Sequence, residues 1–103
     1  MDNFFQRAFS VVKQIPEGRV STYGLIARMI GEPRKARYVG FAMHQSPGVA
    51  GGVPCHRVVF KDGTLAPGFA FGGPDAQREL LEAEGVQFLE NGKVDMRHFL
   101  WEA

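Results

Sequence analysis

Glycine and proline cut this chain into short segments, and that punctuation limits what it can fold into. Breaks fall at Pro16-Glu17-Gly18, Gly31, Ser46-Pro47-Gly48, Lys61-Asp62-Gly63, Gly72-Gly73, Gly85 and Asn91-Gly92. Before the first break, Phe5, Ala8, Phe9, Val12 and Ile15 recur at helical spacing, with Asp2 or Asn3 as cap. Ser21 or Thr22 can cap a second helix from Tyr23 to Ile30, which Gly31 stops. Pro33 suits the first turn of a third helix, predicted over Pro33 to Gln45. Two short helices joined through a glycine turn match a helix-turn-helix, although many α-hairpins share the pattern. Val58-Val59-Phe60 reads as a short buried strand, with Lys61-Asp62-Gly63 turning it back onto Thr64-Leu65. Pro74-Asp75 opens a fourth helix through Glu84. A second hairpin pairs Val86–Leu89 with Lys93-Val94, and Asp95 caps a last short helix carrying Phe99, Leu100 and Trp101. The expected fold class is α+β and mostly helical: one winged-helix-like helix-turn-helix domain over residues 1–103, with short β-hairpins.

At 103 residues the chain suits one compact domain, and its 45% apolar and 22% charged residues are ordinary for a soluble one. A single cysteine excludes an internal disulfide and fits a reducing cytosol, so a cytoplasmic location is expected. One cysteine without clustered histidines does not make a four-ligand zinc site, and neither metal nor cofactor is expected. The first residues lack the charged and apolar regions of a signal peptide, and no apolar run approaches a membrane span. Net charge is only +1, but it is unevenly spread. Residues 1–60 carry eight Lys/Arg against three acidic residues, a net of +5; residues 61–103 carry four against eight, a net of −4. A basic half suggests a face that meets an anion; scattered surface charge is the plain alternative.

Pro54-Cys55-His56-Arg57-Val58-Val59 holds the only cysteine, at a stiff turn entering a strand. Cys55, His56 and Glu84 could form nucleophile, base and orienter. A thiol of pKa about 8.5 needs a base or a positive field to become thiolate, and a carboxylate can fix the tautomer of a histidine. On an extended backbone Cys55 and His56 point to opposite faces and would communicate through a water. The alternative is an inert, buried cysteine. Arg34, Lys35 and Arg37 crowd the first turns of the third helix, where the dipole disfavours cations unless a phosphate binds. The small residues Ala36, Gly40 and Ala42 there also suit a close helix-helix contact. Residues 66–73 form a glycine-rich loop, a lid or a pinned segment, with aromatics at Phe69 and Phe71.

Five ordered stretches carry a resemblance: residues 18–27 (Gly-Arg-Val-Ser-Thr-Tyr-Gly-Leu-Ile-Ala), 34–40 (Arg-Lys-Ala-Arg-Tyr-Val-Gly), 54–58 (Pro-Cys-His-Arg-Val), Gly72-Gly73, and 81–85 (Leu-Glu-Ala-Glu-Gly). Together they resemble the DNA-binding domain of the O6-alkylguanine-DNA alkyltransferases and their relatives, the alkyltransferase-like proteins. The resemblance implies a helix-turn-helix that enters the minor groove of double-stranded DNA and flips O6-alkylguanine into a pocket. It implies DNA contacts from Thr22, Tyr23, Arg34, Lys35, Ala36 and Arg37. Tyr23 would displace the 3′ phosphate and Arg37 would fill the vacated stack. It implies a lesion pocket of Tyr23, Pro54, Cys55, Val58, Phe69 and Ala70, with the Val58 carbonyl reading the guanine amine. Arg57 matches a structural position. In the transferases the cysteine keeps the alkyl group, with His56 and Glu84 matching the residues that help form the thiolate. The alkyltransferase-like branch binds the lesion and hands it to nucleotide excision repair proteins, but usually has tryptophan or alanine at the position of Cys55. The chain departs from the transferases where Ser46-Pro47 replaces asparagine-proline, by one extra residue between Arg37 and Cys55, and by a lid one residue longer. The expected function is lesion recognition by a monomer. The alternatives are alkyl transfer to Cys55 and a plain sequence-reading helix-turn-helix.

Overall fold

The computed structural model describes residues 3–67, 69 and 72–102. Helix α1 spans Phe4–Val12, β1 Ser21–Thr22, α2 Tyr23–Ile30, α3 Ala36–His44, β2 Val58–Val59, α4 Gly73–Ala83 and α5 Met96–Phe99. Short 3-10 turns at Val49–Gly51 and Cys55–Arg57 lead from α3 to β2.

Local signals set the first two helices. The Asn3 carboxamide oxygen accepts from the Gln6 N–H at 2.8 Å and caps α1. The Thr22 hydroxyl accepts from the Leu25 N–H at 3.1 Å and caps α2, which ends at Gly31 with φ 92°. Ala8, Val12, Ile15, Ile26, Ala27, Val39, Ala42 and Met43 then form one core among α1, α2 and α3. Cys55 and Val58 close that core from the far side.

The third helix begins at Ala36, three residues later than its proline suggests. Glu32 explains the difference. Its carbonyl accepts from the Lys35 N–H, and its carboxylate pairs with Lys35 and with Arg7, each at 2.7 Å. Residues 32–35 are thereby a separate turn, so Arg34 and Lys35 precede α3 instead of lying within it.

The two strands pair with each other in parallel, Ser21 opposite Val58 and Thr22 opposite Val59. This pairing joins the α2 cap to the cysteine turn. Alternate side chains of β2 serve two cores. Val58 faces the three-helix core, while Val59 joins Val20, Leu81, Val86 and Val94. The expected return of Thr64-Leu65 is reduced to one bond, Phe60 N–H to Thr64 carbonyl at 3.0 Å. The second hairpin is likewise one antiparallel bridge, Phe88 to Val94. Leu100 and Trp101 lie past α5; Leu100 pairs with Val20 in a further parallel bridge, in which the Val20 N–H donates to the Phe99 carbonyl and the Trp101 N–H to the Val20 carbonyl. Asp95 precedes α5, but its carboxylate bonds the His98 ring at 2.7 Å and caps no backbone N–H.

Gly63 locks the two turns together. Its carbonyl accepts from the Val94 N–H at 2.9 Å, its φ is +90°, and a Cβ there would lie 2.6 Å from the Val94 carbonyl oxygen. Gly63→Ala is expected to lower stability by about 2 kcal/mol or more. A denaturant midpoint unchanged by this substitution would show that the two turns do not dock.

Candidate functional site

The start of α2, one face of α3 and the segment after β2 enclose a cleft of about 570 Å³. Tyr23 and Phe60 form one wall, their rings 5.1 Å apart. Ala36, Arg37, Gly40, Phe41 and His44 of α3 form the other, and Lys61, Ala66 and Pro67 the rim. The small residues of α3 divide by role. Ala42 is fully buried in the core, whereas Ala36 and Gly40 line the cleft. A Cβ at Gly40 would meet nothing closer than Tyr23 Cε1 at 4.0 Å. Helix packing therefore does not require a glycine there.

Below the cleft lies a recess of about 20 Å³ lined by Tyr23, Gly40, Met43, His44, Cys55, Ala66 and Phe69. That volume accepts about one water-sized group. A small substituent fits it and a purine does not, so a base would have to lie in the cleft above. Cys55 is 4% exposed and free. Burial pushes its thiol pKa up, against weaker pulls from hydrogen bonds with the Ser46 side chain and its own backbone. Burial likewise raises Tyr23 to about 12, helped by the neighbouring Cys55. Both groups are therefore neutral at neutral pH.

Cys55 and His56 lie on a 3-10 turn, so the opposite-face geometry of an extended backbone does not apply. The His56 ring is buried with Nε2 2.7 Å from Glu84 Oε2, and its Nδ1 has no hydrogen-bond partner among the described residues. Burial lowers the His56 pKa, partly offset by Glu84. The neutral ring then donates from Nε2 and leaves Nδ1 as an acceptor. Arg57 donates from Nε and Nη2 to the two Glu84 oxygens at 2.9 and 2.8 Å, and from Nη1 to the Ile15 carbonyl at 2.8 Å. The Gly18 N–H adds a fourth bond to this carboxylate at 3.2 Å. Burial raises the Glu84 pKa, but hydrogen bonds from Arg57, His56 and Gly18 outweigh it and hold the carboxyl down to about 2.

The remaining candidates are distributed unevenly. Thr22 is buried with its hydroxyl committed to the α2 cap. Arg34 is exposed and does not line the cleft. Lys35 is held by Glu32 and lies 5.8 Å from the Phe4 ring centroid. Pro54 is buried at the start of the cysteine turn. Phe69 is half-buried beside Cys55; Ala70 and Phe71 lie outside the described residues. Val58 is fully buried, and its carbonyl accepts from Gln77 Nε2 at 3.0 Å.

Gln77 is a functional-site residue that sequence reasoning missed. Fully buried on α4, it donates to the His56 and Val58 carbonyls, each at 3.0 Å. Its own oxygen accepts from the Ala66 N–H at 2.9 Å. One side chain thus ties the cysteine turn to the base of the glycine-rich loop. His44 was also missed as a site residue, and no local pattern marks it; Ser46 was noted only as a departure from the family's asparagine.

Residues 3–86 match the model of the 6-O-methylguanine DNA methyltransferase DNA-binding domain. The chain is 41% identical to the DNA base-flipping protein of Escherichia coli, over 97% of this chain and 75% of that one. It is 39% identical to alkyltransferase-like protein 1 of Schizosaccharomyces pombe, over 98% and 96%. The S. pombe alkyltransferase-like protein solved with damaged DNA containing O6-carboxymethylguanine superposes with a TM-score of 0.83 at 36% identity, covering 100% of this chain and 98% of that one. The O6-methylguanine methyltransferase of Mycobacterium tuberculosis gives 0.70 at 39% identity, over 82% of this chain and 49% of that one.

Proposed function

The chain belongs to the 6-O-methylguanine DNA methyltransferase DNA-binding-domain family, and from that membership we propose that it recognises O6-alkylguanine in double-stranded DNA. It enters by the minor groove and turns the damaged base into the cleft. One observation carries this reading: Tyr23 and Arg37 line a single cleft whose floor drops to Cys55.

Each part has a physical reason. Arg37 stands exposed in the first turn of α3, where its guanidinium can stack in a gap left by an extruded base. Tyr23 keeps its proton and offers an uncharged wall beside the phosphate it displaces. The α3 N-terminus has no side-chain cap, which leaves its first N–H groups for a phosphate, with Arg34 just before them. The purine lies in the cleft while its O6 substituent reaches the recess beside the thiol. There Cys55 serves as a neutral contact surface, since burial keeps it protonated. On this reading residues 1–103 act as one domain and as a monomer, in the cytoplasm, and hold the lesion for nucleotide excision repair proteins.

Alkyl transfer is the second reading, favoured by the intact His56–Glu84–Arg57 chain next to the thiol. The Cys55 proton would pass towards His56, the thiolate would bond the alkyl carbon, and the O6–carbon bond would break with its electrons returning to guanine. The free Nδ1 of His56 is the acceptor this requires.

At one fixed salt concentration the protein is expected to bind an O6-methylguanine duplex at least tenfold more tightly than the unmodified duplex. Equal affinity for both would leave only a sequence-reading module. Intact mass after incubation separates the two remaining readings: an unchanged mass supports recognition, and a gain of one methyl group supports transfer.

A further inference from the structure

The charges around the cleft and recess are all of one sign. Among the described lining residues Arg37, His44 and Lys61 can carry positive charge, and none is a carboxylate. Asp62, which follows Lys61, and Glu84, which holds His56, are each paired. Asp62 bonds Lys93 at 2.9 Å and the Thr64 N–H at 3.0 Å. Glu84 lies behind the cysteine turn, held by Arg57 and His56. Cys55 and Tyr23 stay protonated, so the recess itself carries no negative charge.

His44 differs from the other two cations in position. It lines both the cleft and the recess, whereas Arg37 and Lys61 line the cleft alone. It stands on the last turn of α3, exposed, one helical turn beyond Gly40. Gly40, which has no side chain, likewise lines both. A substituent that passes from a purine in the cleft towards Cys55 therefore runs past the imidazole. That ring presents an N–H donor whether neutral or charged.

We propose that His44 is a specificity-determining residue that favours O6 substituents ending in an anionic group, such as carboxymethyl, over neutral substituents of the same size. The inference rests on the lesion-recognition reading and names the class of lesion within it. The methylene next to O6 occupies the recess, which has room for little more. The carboxylate remains at the mouth of the recess, where His44 donates to it and Lys61 adds a second positive charge from the rim. A hydrogen bond to a charged acceptor in a partly desolvated site is stronger than one to a neutral amide.

The test uses four duplexes of one sequence at one salt concentration, carrying guanine, O6-methylguanine, O6-carboxymethylguanine or its neutral amide, O6-carbamoylmethylguanine. The wild-type protein is expected to bind the carboxymethyl duplex about tenfold more tightly than the amide duplex. In His44→Ala that ratio falls to near one; His44→Gln, which retains an N–H donor, recovers part of the ratio. Lys61→Ala reduces the ratio less than His44→Ala. If the wild type binds the acid and the amide equally, the proposal is overturned. It is also overturned if His44→Ala weakens binding to all four duplexes alike, since the imidazole would then be a phosphate contact. Failure of the parent reading has a separate signature: methylguanine and guanine duplexes bind equally.

Discussion

Glu84→Gln is expected to lower the unfolding free energy by about 3 kcal/mol, the scale for breaking a buried ion pair. The Glu84 carboxylate accepts from Arg57 twice, from His56 and from Gly18. Its side chain is 13% exposed, and those of Arg57 and His56 are 15% and 2% exposed. This is therefore not a surface pair of negligible worth. Glutamine keeps the shape but loses the charge, and its NH₂ meets a donor at one of the two positions. Arg57 would be left half-paired between the cysteine turn and the Ile15 carbonyl. Glu79→Gln, on the exposed side of α4, is the control and should change stability by about 0.5 kcal/mol at most. Urea unfolding of the three proteins decides the matter. A Glu84→Gln loss no larger than that of the control would mean that the cluster contributes nothing to the fold.

The same carboxylate fixes a pH dependence. Glu84 titrates near about 2 when folded, against about 4.3 in an unfolded chain. A carboxyl with a depressed folded pKa stabilises fully above its unfolded value and loses that contribution as pH falls through the folded one. Wild-type stability should thus decline between about pH 5 and pH 2, and the gap to Glu84→Gln should narrow over that window. A gap that stays constant through it would mean that Glu84 does not stabilise through its charge.

How legible these features were in the sequence depended on range. The bounds of helix α2 were legible because the Ser21-Thr22 pair and Gly31 delimit it by local rules; that Thr22 is the cap needed the fold. The start of α3 was not legible, since Glu32 turns the chain through partners on α1 and in its own loop. The β-branched run Val58-Val59-Phe60 marked a strand, which spans Val58–Val59, but said nothing of its partner. That partner, Ser21-Thr22, is polar and reads as a helix cap, which it also is. Within the site, Cys55, His56 and Glu84 were singled out by their chemistry and Tyr23 and Arg37 given their roles through a family resemblance, and the structure brings Tyr23 and Arg37 to one cleft. Gln77 was invisible because a glutamine on a helix is ordinarily solvated, and only its three distant partners explain its burial. The replacement of asparagine by Ser46 was visible as a departure. Its consequence, a buried hydroxyl between the Gly48 N–H and the thiol, needed the fold.

Arg37→Ala is expected to weaken binding to the O6-methylguanine duplex about thirtyfold, roughly 2 kcal/mol. Extruding a base costs a few kcal/mol of stacking and pairing, and an inserted group must return part of it. Arg37 lines the same cleft as Tyr23 from the first turn of α3, so its guanidinium has a place from which to reach the stack. The plane matters as much as the charge. Arg37→Lys keeps the charge and loses the stacking surface, so it should resemble Arg37→Ala. If Arg37 merely contacted a phosphate, lysine would restore affinity, and alanine would weaken damaged and undamaged duplexes by the same factor. Tyr23→Phe separates the companion role. It keeps the ring against Phe60 and should leave stability near wild type. Tyr23→Ala should lose both that packing and lesion affinity. An Arg37→Lys protein that binds the lesion as tightly as wild type would remove intercalation from the mechanism and leave the basic face as an electrostatic anchor alone.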